Sequence, residues 1–176
     1  MKHSPVIIAT GGANLASLKF ALQRLGVTAI VTEDADQIRE SSHVFLPGVG
    51  TARDAMRRLD AAKLSRIIPR LTQPVLGICL GMQLLFSESE ENGLFKGLNL
   101  IPGKVVKLKD SRSDIKIPHM GWNKINPKKK NWQNTIIKNT DVKKHYFYFV
   151  HSFFSQPDKE EHILATSTYG ENQFCS

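Results

Sequence analysis

Residues Pro74 to Phe86, Pro-Val-Leu-Gly-Ile-Cys-Leu-Gly-Met-Gln-Leu-Leu-Phe, set a cysteine between two glycines where a short apolar strand meets an apolar helix start. A residue at such a junction occupies a sharp strand-to-helix turn, the arrangement of a nucleophile elbow. Its flanking positions must be small enough for two backbone segments to pass closely. Gly77 and Gly81 meet that need. The turn exposes the Cys79 sulfur above the carboxyl edge of a sheet and aims the first peptide N–H groups of the helix at whatever the sulfur attacks, which suits acyl transfer. A small hydrophobe buried in a tight turn is the plainer reading of Cys79. The agreement between the motif and its strand-helix context favours the elbow.

The chain before the elbow supplies the sheet that it requires. Val6 to Ala9 is a continuous apolar run, as in a strand buried on both faces. A helical stripe of Leu15, Leu18, Leu22 and Leu25 follows, closed by Gly26, with Asn14 as a candidate N-cap. Val27–Val31 reads as a second strand, Asp34–Glu40 as a short helix, and His43–Leu46 as a third strand. Pro47-Gly48-Val49-Gly50 then leads to Thr51, a candidate cap for a helix carrying Ala55, Met56 and Leu59. Two glycines around Val49 make a loop whose peptide N–H groups can face a cleft, although an ordinary strand-to-helix turn has the same letters. Leu64–Leu71 reads as a further helix. Alternating strands and helices predict a doubly wound α/β fold with a mostly parallel sheet and helices on both faces, Cys79 standing at the carboxyl end of a central strand.

After the elbow, 87–97 reads as a surface loop, and Val105–Leu108, Ile115–Ile117, Tyr146–Val150 and Ile163–Thr166 read as strands, with a turn at Tyr169-Gly170. Residues 118–123, Pro-His-Met-Gly-Trp-Asn, are an unusual composition for a connection. The chain of 176 residues fits a single domain over 1–176, and its 41% hydrophobic content is ordinary for a globular protein. A net charge of +8 invites a nucleic-acid reading. The clusters Lys128–Lys130 and Lys143–Lys144 lack interleaved aromatics, so they read as a solvated face and no nucleic-acid partner is expected. No apolar run is long enough for a membrane span or a signal sequence, and two cysteines make no disulfide framework. Both features predict a cytoplasmic protein. No cofactor or metal is expected.

Four motifs, Leu46-Pro-Gly-Val-Gly50, Gly77-Ile-Cys-Leu-Gly-Met-Gln83, Pro118-His-Met-Gly-Trp-Asn123 and Tyr148-Phe-Val-His-Ser152, occur in an order that resembles one family. It is the glutamine amidotransferase subunit of imidazole glycerol phosphate synthase, a class I, triad-type glutaminase of histidine biosynthesis. The resemblance runs from Val6 to about Gly170, and residues 10–15 are similar to the family's glycine-rich N-terminal loop, with Gly12 as a departure. It implies that Cys79 is the nucleophile toward the side-chain amide of L-glutamine and that the backbone N–H groups of Leu80 and Val49 form an oxyanion hole. It further implies that Gly48, Gly50, Gln83, His151, Ser152 and Phe153 hold the substrate. The ammonia released would pass to a (β/α)8 barrel synthase subunit, which makes imidazole glycerol phosphate and AICAR. Asn14, His119, Met120, Trp122 and Asn123 would face that partner in a heterodimer. The family's His-Pro-Glu, which supplies the base and the residue that orients it, does not occur in residues 1–176. From this it is expected that the last strand and helix of the fold are missing and that residues 1–176 turn over glutamine poorly even with the barrel partner present. A catalytically silent scaffold for the barrel, or an amidotransferase of another sugar-phosphate pathway, is the alternative.

Overall fold

The computed structural model describes residues 4–9, 11, 15–111, 113–128, 135–141 and 144–175. Two compact units, Met1–Leu100 and Ile101–Ser176, divide the chain.

In the first unit, strands β1 (Val6–Ile8), β2 (Ile30–Thr32), β3 (Val44–Gly48) and β4 (Val75–Cys79) form a parallel sheet in the order β2-β1-β3-β4. All three residues of β1 are buried, as expected of a strand covered on both faces. Helices α1 (Leu15–Arg24), α2 (Ala35–Glu40) and α3 (Ala52–Ala61) make the connections, so the parallel α/β fold read from the alternation is the fold observed.

Each helix has a local reason for its ends. Gly26, at φ 74°, terminates α1 in a Schellman motif: the Val27 N–H donates to the Leu22 carbonyl and the Gly26 N–H to the Gln23 carbonyl, both at 2.9 Å. That cap moves two expectations. Val27 is tied into the helix end, so β2 starts at Ile30 rather than Val27, and Leu25 lies beyond the helix and is exposed instead of completing the stripe. Asp34 caps α2, its Oδ1 accepting the N–H groups of Asp36 and Gln37, and Thr51 Oγ1 accepts the Asp54 N–H at the start of α3. The helix expected over Leu64–Leu71 is two 3-10 turns, Leu64–Arg66 and Ile68–Arg70, because Pro69 has no N–H to continue an α-helix. Beyond β4 come α4 (Leu80–Leu84) and a hairpin of β5 (Phe86–Ser89) with β6 (Phe95–Lys96), where the sequence suggests only a loop. Buried Phe86 anchors that hairpin. β4 is the outer strand of the four, not a central one.

The second unit is antiparallel. It contains β7 (Ile101–Lys107), β8 (His119–Asn123), β9 (Asn126–Pro127), β10 (Phe147–His151), β11 (Phe153–Pro157), β12 (Ala165–Tyr169) and β13 (Asn172–Cys175). β8 pairs with β10, β7 with β11, and β12 with both β9 and β13. Leu108, Phe154 and Phe174 form one core cluster with Val106, Phe149 and Tyr169 packed against it. The strand expected at Ile115–Ile117 is absent; Pro118 ends that stretch without a donor for a ladder. Polar residues that fold inward hide β11 and β13 from a hydrophobicity reading. Asn172 is buried because its side chain accepts the Lys109 N–H and donates to the carbonyls of Lys109 and Tyr169.

Candidate active site

Cys79 is the last residue of β4 and lies at φ 55°, ψ −120°, a conformation that a residue with a Cβ adopts only under strain. Three glycines make room for it. A Cβ on Gly81 would overlap the Leu46 carbonyl oxygen, one on Gly77 would lie 2.6 Å from Met82 Cα, and one on Gly48 would lie 2.9 Å from the Gly81 nitrogen. The close approach of β3, β4 and α4 is therefore available only to this glycine pattern. Register places Gly48 directly across from Cys79. The result is an exposed thiol at the carboxyl end of a parallel strand, with Leu80 starting α4 behind it, its side chain buried and its N–H among the helix's first open donors.

The other residues singled out in this unit surround the same turn. Val49 is exposed, and Gly50 sits at φ 90° with open space where a side chain would project. Gln83 follows Cys79 by four residues on α4 and is half-buried. Asn14 and Gly12 lie outside the described residues.

In the second unit, the β8–β10 ribbon sorts its residues cleanly between two faces. Register pairs Met120 with Val150 and Trp122 with Tyr148 on one side, and His119 with His151 on the other. The first face is open: Trp122 is 71% and Met120 62% exposed, and the Trp122 and Tyr148 rings meet edge to face at 5.5 Å. His119, grouped with these residues by motif, is only 3% exposed and turned away from them. It stacks between Tyr169 at 4.0 Å and Phe149 at 5.3 Å, and its Nδ1 lies 2.9 Å from His151 Nε2. His151 Nδ1 in turn lies 3.0 Å from the Phe153 carbonyl. Burial lowers the pKa of both imidazoles, and for His151 the neighbouring His119 acts in the same direction while the Phe153 carbonyl opposes it. Asn123 donates to the Thr168 carbonyl. Ser152 and Phe153 are half-buried at the reversal between β10 and β11, where the Ser152 carbonyl accepts the Leu108 N–H at 2.8 Å.

Sequence reasoning misses the His119–His151 contact. The period-two alternation of 119–123 and 147–151 carries the signal, because it puts both imidazoles on the face that also carries Phe149. The second cysteine is a different case from the first. Cys175 donates its S–H to the Ser155 carbonyl at 3.2 Å, and burial pushes its pKa up to about 11, so it is a thiol rather than a nucleophile at neutral pH. Among the described residues no group of three or more His, Cys, Asp or Glu side chains could hold a metal ion, and no helix is long and apolar enough to cross a membrane.

Parallel sheet and strained thiol together define an α/β protein that presents a thiol at a strand-to-helix elbow. The family model for glutamine amidotransferase class-I matches residues 6–175, and the chain belongs to that family. It is 50% identical over 166 residues to the imidazole glycerol phosphate synthase subunit HisH of Idiomarina loihiensis, an alignment covering 94% of this chain and 79% of that protein. The subunit HisH of Haemophilus influenzae is 46% identical with the same coverage, and that of Bacillus subtilis 41% identical, covering 93% of this chain and 78% of its own. Among solved structures, a glutamine amidotransferase superposes with a TM-score of 0.66 over 97% of this chain and 87% of its own at 14% identity. A putative GMP synthase subunit from Thermoplasma acidophilum gives 0.63 over 95% and 74% at 17% identity. At those identities the likeness speaks for the fold.

Proposed function

We propose that the chain is a glutaminase subunit that releases ammonia from L-glutamine for imidazole glycerol phosphate synthesis, with Cys79 as its nucleophile. The strained, glycine-enclosed position of Cys79 is the observation that carries this reading. The sulfur adds to the side-chain amide carbon, forming a C–S bond and a tetrahedral oxyanion. The C–N bond then breaks as the proton given up by the thiol passes to the leaving nitrogen, ammonia departs, and water hydrolyses the glutamyl thioester to glutamate, returning a proton to the sulfur. Backbone N–H groups of Leu80 and Val49 stabilise the oxyanion. Gln83 and the backbones of Gly48 and Gly50 hold the substrate, and those of His151, Ser152 and Phe153 serve the same purpose. His151 does not act as the general base, since both its ring nitrogens are already engaged.

The ammonia acceptor is a (β/α)8 barrel synthase subunit, met through the open face of Met120, Trp122, Tyr148 and Val150. Exposed aromatic and methionine side chains of this kind are typical interface anchors. The resemblance also counts Asn14 and Asn123 among the contacts with that partner, in a cytoplasmic heterodimer; Asn14 lies outside the described residues. Two tests apply. Trp122→Ala should weaken association with the barrel protein at least tenfold, by about 1.4 kcal/mol or more, and leave the melting temperature unchanged, because the ring is outside the core. Unchanged affinity would remove Trp122 from the interface. In a version extended by the family's His-Pro-Glu segment, ammonia release by the assembled pair should fall on the order of 10⁴-fold in Cys79→Ala, and a smaller effect would contradict the assignment of the nucleophile.

A further inference from the structure

The two buried histidines form a hydrogen-bond chain whose direction follows from elementary valence. A carbonyl oxygen only accepts, so the 3.0 Å contact requires a proton on His151 Nδ1. In a neutral imidazole the other nitrogen then carries the lone pair, so His151 Nε2 accepts, and the 2.9 Å contact requires a proton on His119 Nδ1. One tautomer of each ring satisfies both contacts, and it runs His119 to His151 to the Phe153 carbonyl. The rings packed against the pair are uncharged: His119 stacks between Phe149 and Tyr169, and His151 meets Phe174 edge to face at 4.8 Å. Tyr169 is itself held, its hydroxyl donating to the Lys116 carbonyl at 2.9 Å. The chain ends on the reversal between β10 and β11. There the Ser152 and Phe153 carbonyls are both committed, one to the Leu108 N–H and the other to His151, which fixes the orientation of the peptide planes between them.

We propose that His119 is a positioning residue for the substrate segment His151–Phe153: it donates to His151 Nε2 and so locks the imidazole that holds the Phe153 carbonyl. This rests on the reading that the backbone of 151–153 holds glutamine. Without the donor at position 119, His151 Nε2 loses its partner and the Phe153 carbonyl alone holds the less common Nδ1–H tautomer, so one of the two ties on the reversal is weakened. His119 touches no reacting atom. Its effect falls on substrate affinity rather than on the thiol.

The experiment has two arms on the full chain. In the first, nitrogen NMR of the unsubstituted protein at neutral pH reads the tautomers directly. A proton on His151 Nδ1 and a lone pair on Nε2 are expected, and the reverse assignment overturns the inference without any variant. In the second, Cys79 is alkylated with the glutamine-like diazoketone 6-diazo-5-oxo-L-norleucine, beside iodoacetamide as a probe that needs no substrate site. His119→Phe keeps a flat ring in the stack and removes the donor, whereas His119→Asn returns a donor near the position of Nδ1. His119→Phe should raise the half-saturating concentration of the diazoketone roughly tenfold with little change in its limiting rate or in iodoacetamide labelling, and His119→Asn should recover most of the loss. Equal half-saturation in the parent and His119→Phe overturns the inference. Labelling of the parent that fails to saturate contradicts the glutamine reading itself, an outcome distinct from the other two because the tautomer assignment still stands or falls alone.

Discussion

The elbow of the first unit and the histidine pair of the second are held in place by opposite means. Around Cys79 the determinant is empty space: Gly48, Gly77 and Gly81 carry no Cβ, so β3, β4 and α4 close to distances that no side chain would permit, and Cys79 takes up the strain. Around His151 the determinant is filled space, with two imidazoles and three aromatic rings satisfying one another's polar and apolar surfaces. A steric lock fails abruptly when an atom is added. A hydrogen-bond chain fails when a proton is added.

The largest effect is expected from testing the first half of that contrast. Gly81→Ala forces the Leu46 carbonyl and the elbow apart and should cost about 3 kcal/mol or more of stability, together with selective labelling of Cys79. Gly50→Ala, with open space around it, should cost only about 1 kcal/mol for its positive φ. Thermal unfolding of the two variants side by side measures the difference, and similar losses would mean that conformation rather than contact governs the elbow. The second half is tested by acid. Both histidines have folded-state pKa values below the ordinary 6.5, so below that pH the unfolded chain binds more protons than the folded one and stability falls as pH falls. Denaturant midpoints should therefore drop from pH 7 toward pH 5 in the parent and less in His119→Asn; parallel slopes would separate the pair from the acid response.

Smaller shifts follow from individual atoms. Cys79→Gly relieves a positive φ and should stabilise by about 1 kcal/mol while abolishing the chemistry, the opposite sign to Gly81→Ala only two residues away. Ser155 Oγ is the buried side-chain polar atom for which the described residues offer no hydrogen-bond partner. Ser155→Ala should leave stability unchanged or raise it by up to about 1 kcal/mol. A loss seen in unfolding curves would reveal a partner for the hydroxyl.

The same contrast explains what was legible in the sequence. Glycine spacing around Cys79 is a short-range steric code, and the runs that form the parallel strands are apolar on both faces, so the elbow and its sheet could be read directly. The second unit depends on pairing between distant segments. β13 is held by Asn172 reaching Lys109, and His119 is buried because β10 supplies Phe149 and β12 supplies Tyr169. No local pattern states such partners. β8 and β10 show the limit well: their alternation separates Trp122 from His119, but only the observed register reveals that the two histidines meet.

The central claim is that Cys79, and not another group, carries the glutamyl intermediate. The most direct measurement is acid quenching of the chain, extended by the family's His-Pro-Glu segment and mixed with the proposed barrel partner, during turnover of isotopically labelled L-glutamine, followed by peptide mapping. Label should appear as a thioester on the peptide containing Cys79, with none on Cys175, whose pKa is pushed up to about 11. It should vanish in Cys79→Ala along with ammonia release. Label on another residue, or ammonia release that survives Cys79→Ala, would contradict the account.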